Sequence, residues 1–258
     1  MAYTRYPESG HYIYGGSDYV DFDGKAIPDD AVDVFIYTLF GERGGDDDFW
    51  ERYNRGKRII DNYQRGFRIQ KLWKHAPYDL KPHAAAIAAL AGEIWREHYT
   101  PIIGAGQVEY MLEKFQSAER ITTDIRKNGH AYFVAETIDM GAKKLVGYCG
   151  IVPEDDGLTI SKLYIHKDYR RRGIARSFLE EVAAWCRLEY GLNRIRLIVD
   201  KRNETAIAAY RKMGFVIADS VKIDIGGGFF MDDYLMEFCV GRVNDHAAGF
   251  KAVGSKTI

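Results

Sequence analysis

Residues 158–175 read LTISKLYIH, KDY, RRRGIA, and the reading of this stretch decides the fold. Leu158–His166 is a β-prone run, and Lys167-Asp168-Tyr169 breaks it. Arg170-Arg171-Arg172-Gly173-Ile174-Ala175 then opens a helix with Ile174, Phe178, Leu179, Val182, Trp185 and Cys186 on one face. Gly191 stands where a helix C-terminus favours positive φ. A strand-to-helix turn with a central glycine aims free N–H groups and the positive helix end at one point. That is an anion cradle, suited to a pyrophosphate. In isolation the arginines also read as solvated surface and Gly173 as an ordinary turn glycine.

The pattern extends in both directions. Downstream lie a strand over Arg194–Asp200, a short helix over Glu204–Met213 stopped by Gly214, and a hairpin. The hairpin joins Val221–Ile225 to Phe229–Val240 through three glycines, Gly226 to Gly228. Upstream, FRIQKLW from Phe67 alternates like a strand. An Ala-rich helix over Ala84–Tyr99 stops at Thr100-Pro101, and another begins over Gln107–Phe115. Ala131–Glu136 and Lys144–Val152 read as neighbouring strands, followed by the acidic turn Glu154-Asp155-Asp156-Gly157. The first 65 residues read as short strands and turns (HYIY, DYVDF), a helix opened by Pro28-Asp29-Asp30, and a second helical stretch over Phe49–Tyr63.

Two motifs on these elements resemble the GNAT N-acetyltransferases. The family's signature at the strand-to-helix turn, Arg/Gln-x-x-Gly-x-Gly/Ala, is matched by Arg170, Gly173 and Ala175. Its downstream pattern Asn-x-x-Ala-x-x-x-Tyr-x-x-x-Gly-Phe is matched without gaps by Asn203, Ala206, Tyr210, Gly214 and Phe215. The resemblance covers roughly residues 66–240 and implies a mixed α/β (α+β) fold. Its central, mostly antiparallel twisted sheet is expected to splay at the cofactor strand, with helices flanking it. It further implies acetyl-CoA as co-substrate, with backbone groups of Leu163, Tyr164 and Ile165 holding the pantetheine and thioester. N–H groups across Arg171, Arg172, Gly173, Ile174, Ala175 and Arg176 would take the pyrophosphate, with Ser177 nearby and Asn203 on the cofactor arm. Asn203 is also a good helix N-cap.

The implied chemistry needs an acid and a base. A phenol of pKa ~10 is still protonated at neutral pH and can protonate a departing thiolate of pKa ~8.5. Tyr210 has that place in the motif; it also reads as a packing residue. An amine acceptor of pKa ~10.4 must first lose a proton. In FFMDDYLMEF adjacent carboxylates point to opposite faces of an apolar strand, Asp232 with Tyr234 and Met236, Asp233 with Met231 and Leu235. Asp232, Asp233 and Glu154 are the candidate bases, and the residues alone do not choose among them. The break WREHYTPIIGAGQVEY brings Tyr99 and Tyr110 forward as candidate acceptor-binding groups, or as packing at a helix junction.

Composition narrows the class. With 47% hydrophobic and 28% charged residues the 258-residue chain folds, and its length suggests one main domain with an added piece. We expect residues 1–65 to be an α+β extension, 66–242 the acetyltransferase domain, and 243–258 a mobile tail. A net charge of −1 favours neither nucleic acid nor anionic membrane. It divides into 8 basic and 13 acidic side chains over residues 1–65, against 28 and 24 beyond. No stretch approaches the ~18 apolar residues of a membrane span. Three scattered cysteines, Cys149, Cys186 and Cys239, read as reduced thiols in a cytoplasmic protein and offer no metal-ligand spacing. The expected partner is a small-molecule or peptide amine, and a homodimer is compatible with the sequence. A GNAT-fold module that binds acyl-CoA as a sensor or scaffold without turnover is the alternative. The extension would brace the main domain, bind a partner, self-associate or cover the acceptor cleft.

Overall fold

The computed structural model describes residues 3–5, 12–14, 19–20, 26–27, 58–59, 61–62, 64–74, 79–139 and 142–241. The chain divides into two compact units, residues 1–69 with 137–144, and residues 70–136 with 145–258. In the first unit, β1 (Tyr3–Arg5) pairs antiparallel with β2 (Tyr12–Tyr14), and β3 (Tyr19–Val20) with β4 (Ala26–Ile27). The helix expected after Pro28 and the tail beyond residue 242 lie outside the described residues. So does most of the stretch 49–63, which is helical at 58–59 and 61–62.

The following elements run β5 (Phe67–Leu72), α1 (Lys81–His98), α2 (Thr100–Ile103), α3 (Ala105–Gln116), α4 (Ala118–Arg126), β6 (Ala131–Asp139) and β7 (Ala142–Glu154). After them come β8 (Gly157–Ile165), a 3₁₀ turn (Lys167–Tyr169), α5 (Ile174–Tyr190), β9 (Arg194–Asp200), α6 (Glu204–Met213), β10 (Val216–Gly226) and β11 (Phe229–Cys239). Seven strands form one mostly antiparallel sheet in the order β10-β11-β9-β8-β7-β6-β5. This is the mixed α/β architecture that the motifs imply.

Two helices differ from the sequence reading. Pro101 ends α1 but also starts the single turn α2, since a proline in a first turn gives up no needed N–H. Helix α4 has no counterpart in the sequence reading; Ser117 caps it by accepting from the Arg120 N–H at 3.3 Å, immediately after α3 ends.

The sheet is covered on both faces. Helices α1, α3 and α4 bury Ile87, Ile94, Trp95, Val108, Ile121 and Ile125 against Tyr132, Val134 and Tyr148 of β6 and β7. Phe133, which alternates with Tyr132, meets Trp185 of α5 on the opposite face at 6.2 Å between rings. At about 25 cal/mol per Å² of apolar surface, side chains of this size supply the main drive for folding.

Strand β8 carries the functional distortion. It runs parallel to β9 only over Leu158–Ile160 opposite Ile195–Leu197. Gly150 of β7 faces Lys162 while Ile151 faces Ile160, so Ser161 is an extra residue, and its Oγ donates to the Gly150 carbonyl at 3.1 Å. A bulge bends its strand and strengthens the twist. Beyond it, Leu163, Tyr164 and Ile165 stay paired to β7 while β9 continues along β11. The sheet therefore opens between β8 and β9.

Candidate active site

The glycine turn lies at the open end. Gly173 has φ 88° and ψ −2°, a left-handed conformation that suits a residue without Cβ. Arg171 is also left-handed, at φ 62°. Alternating backbone of this kind gathers N–H groups into a concavity. Helix α5 has no side-chain cap bond at Gly173 and no acidic residue in its first turn. Its first intrahelical donor is the Ser177 N–H, to the Gly173 carbonyl at 3.0 Å, so the Ile174 and Ala175 N–H groups have no acceptor within the helix. Arg170 Nε donates to the Ile165 carbonyl at 3.2 Å, and Arg172 folds onto Asp168 O and the Tyr169 ring. Arg176 lies 4.0 Å from Glu180, and Ser177 is buried in the first turn. Arg171 has no ion pair among the described residues. The cradle fits a pyrophosphate: open donors, a positive helix end and cationic rims.

Beside the gap stands an aromatic wall. Trp95 lies 4.7 Å from Tyr99 and 5.5 Å from Tyr164, and Tyr148 lies 5.3 Å from Tyr164, all between ring centroids. Asn203 is 3% exposed and both ends of its amide are used. Its Oδ1 accepts from the Ala206 N–H at 3.2 Å, capping α6, and its Nδ2 donates to the Tyr99 hydroxyl at 3.3 Å. Burial pushes the Tyr99 phenol up to about 12, against the opposing hydrogen bonds from Asn203 and Tyr164. The charges of Asp200 and Asp233 add to the rise. Tyr210 of α6 packs on Phe215 at 5.9 Å; burial raises its phenol, and the neighbouring Tyr99 and Cys149 raise it further. Tyr164 is raised by burial and by the same neighbours, Tyr99, Tyr148 and Tyr210. Tyr99, Tyr164, Asn203 and Tyr210 therefore share one neighbourhood at the open end.

The three carboxylates named from sequence are separated by the structure. Asp232 is exposed and bonded to Lys201, which holds its carboxyl below the usual range. Glu154 lies at the closed end of the sheet, where it accepts from Thr159 Oγ1 at 2.8 Å and Arg196 at 3.1 Å. Asp233 is 3% exposed, and burial, then the charges of Asp200 and Asp232, push its carboxyl up to about 6. Tyr110 has its hydroxyl committed: it donates to the Ile225 carbonyl at 2.6 Å and, with Lys114 on the same carbonyl, pins α3 to the β10–β11 hairpin. Sequence reasoning passed over Asp200, which lies directly opposite Asp233 in the β9–β11 ladder. Long-range register has no local signal.

A mixed sheet that splays at one strand, with an uncapped glycine turn at its end, defines an α/β class built to hold an extended anionic ligand. Residues 88–215 match the model of the acetyltransferase (GNAT) family, and this stretch is a GNAT acetyltransferase domain. Three solved structures share the fold. A PaiA N-acetyltransferase from Thermoplasma acidophilum, in complex with coenzyme A, is 20% identical with a TM-score of 0.53, covering 67% of this chain and 98% of its own. A GCN5-related N-acetyltransferase from Rhodopseudomonas palustris is 17% identical at 0.52, covering 66% and 94%. A probable acetyltransferase from Staphylococcus epidermidis is 13% identical at 0.51, covering 68% and 99%. No curated protein matches the chain in sequence.

Proposed function

We propose that the protein is an N-acetyltransferase that moves the acetyl group of acetyl-CoA onto a primary amine in a ternary complex. One observation carries the reading: the uncapped turn at Gly173 ends the strand whose partner has just splayed away, and Tyr210 shares that opening with Tyr164. Backbone groups of Leu163, Tyr164 and Ile165 would hold the thioester arm, and N–H groups from Arg171 to Arg176 the pyrophosphate. Ser177 lies beside them, and Asn203 acts through α6 and Tyr99. When bound, acetyl-CoA supplies an activated acyl group on a thiol leaving group. The protein supplies orientation, fixed dipoles and proton transfer. Burial keeps the Tyr210 phenol protonated well past neutral pH, as a proton donor to a thiolate requires. The coenzyme A complex of the Thermoplasma neighbour supports the cofactor choice.

The test is thermal stability with and without acetyl-CoA, followed by transfer to a panel of amines. Ligand at 100 times its Kd stabilises by roughly 2.7 kcal/mol, which gives a clear rise in Tm. Tyr210→Phe is expected to lower kcat about 10²-fold or more and to leave the acetyl-CoA Kd within about twofold. Unchanged turnover with chemistry limiting would remove Tyr210 from the mechanism. No Tm rise at saturating acetyl-CoA would sink the whole reading.

A further inference from the structure

Asp233 is a buried carboxylate with no ion pair among the described residues. Strand alternation turns Met231, Asp233 and Leu235 to one side, and Met231, like Tyr99 and Tyr164, packs against the buried core cluster. Asp233 Oδ1 is buried and has no hydrogen-bond partner among the described residues. The nearby cations are already engaged. Arg202 binds Asp200 in a two-pronged contact, Nε at 3.0 Å and Nη2 at 2.7 Å, and its N–H adds a third bond at 2.8 Å. Lys201 binds Asp232. Within electrostatic reach of Asp233 are thus the carboxylate of Asp200 opposite it in the ladder, Asp232 on the other face of the strand, the committed cations Lys201 and Arg202, and the hydroxyl of Tyr99. That hydroxyl accepts from Asn203 Nδ2 at 3.3 Å.

A desolvated carboxylate without a partner costs several kcal/mol unless something outside the chain completes it. Among the described residues no group of three or more His, Cys, Asp and Glu is placed to hold a metal ion. Two opposed carboxylates, one of them neutralised by Arg202, instead suit a single monovalent cation. We infer that Asp233, backed by Asp200, is the acceptor subsite, and that the acceptor is a primary aliphatic amine which enters as its ammonium ion and gives a proton to Asp233. This rests on the acetyltransferase reading. In the step, one ammonium proton passes to an Asp233 oxygen, and the freed nitrogen lone pair forms the N–C bond to the acetyl carbon as the C–S bond breaks. Tyr210 protonates the departing sulfur and regains its proton from the new amide nitrogen. The balance is ammonium plus thioester giving amide, thiol and one proton, which leaves from Asp233 to water. A carboxyl held near 6 is matched to that task at neutral pH.

The experiment uses the full chain and its Asp233→Asn variant with pentylamine, 1,5-diaminopentane and the uncharged 4-methylaniline. Calorimetry of pentylamine binding to the protein saturated with CoA is expected to show at least tenfold weaker binding in Asp233→Asn. At pH 7 kcat/KM for pentylamine is expected to fall about 10²–10³-fold. The loss should shrink as the pH approaches 10 and free amine accumulates, and the wild-type rise in kcat/KM through pH about 6 should vanish. 4-Methylaniline should be a poor acceptor with both proteins. A loss in Asp233→Asn that is the same for all three amines and flat with pH would overturn the inference. So would wild-type protein that binds acetyl-CoA, acetylates other acceptors and leaves both alkylamines untouched; that result spares the acetyltransferase reading. Absence of acetyl-CoA binding in the wild type would remove both.

Discussion

Lys162 shows what one residue can hold in tension. Its side chain crosses the bare backbone of Gly150, where a Cβ would meet the lysine Cβ and Cδ at 3.3 Å. It ends with Nζ 5.6 Å above the Tyr132 ring. Only 8% of it is exposed, and burial pushes the ammonium down to about 8, with Asp124 pulling the other way. Asp124 is fully buried and satisfied on one oxygen by Arg120 at 2.8 Å and Asn128 at 2.9 Å. The unfolded chain binds the lysine proton more tightly than the folded one, so the cost is complete below pH about 8 and is relieved between about 8 and 10.5. Lys162→Met, of similar length and apolar, is therefore expected to stabilise the protein at pH 7 by roughly 1–3 kcal/mol. The gain should fade toward pH 10.5; urea midpoints at pH 7 and pH 10 measure it. The alternation of Asp232 and Asp233 was legible in FFMDDYLMEF, because strand period is local. Which carboxylate is buried was not, since that depends on Lys201 and Arg202 arriving from the turn after β9.

At the scale of elements, α5 is the instructive case, because a left-handed glycine flanks each end. Gly173 precedes it at φ 88°, and Gly191 follows it at φ 63° with open space where a Cβ would stand. A side chain at either position meets the same backbone penalty of about 1–2 kcal/mol. Only Gly173 lies in the cradle. Gly191→Ala is expected to lower stability by about 1 kcal/mol with the acetyl-CoA Kd unchanged. Gly173→Val should in addition weaken acetyl-CoA at least tenfold, because the N–H groups no longer converge; calorimetric titration of both variants separates strain from binding. This strand, turn and helix could be read directly, since the residues that make the turn also mark it. Helix α4 could not: Ser117 caps it one residue after α3 ends, with no glycine or proline between them. The splay of β8 was expected only through family resemblance, because it arises from a one-residue bulge at Ser161 and from pairing with β9 that stops after Ile160.

Across the whole molecule the two ends of the sheet are built differently, and the near-zero net charge conceals it. The open end keeps Asp233 unpaired beside its aromatic wall, whereas the closed end is clamped by charge. Arg196 of β9 bonds Asp156 through Nη1 at 2.7 Å and Nη2 at 2.5 Å, Glu154 at 3.1 Å and Glu237 at 3.0 Å, and Arg194 adds a bond to Asp156 at 3.0 Å. One guanidinium thus ties β7, the turn before β8, β9 and β11 together where β8 and β9 still pair. A partly exposed network contributes modestly, so Arg196→Met is expected to lower Tm by about 2–4 °C at pH 7. Arg196 holds the Asp156 carboxyl below its ordinary value. A depressed carboxyl contributes stability above the ordinary carboxylate pKa and loses it as the pH falls, so the gap between wild type and variant should narrow toward pH 3.5. If clamp and site act independently, the acetyl-CoA Kd of Arg196→Met stays within about threefold of wild type, as calorimetry would show. A larger loss of affinity in a folded variant would mean that the closed end sets the width of the opening, and that the charge clamp is part of the binding site.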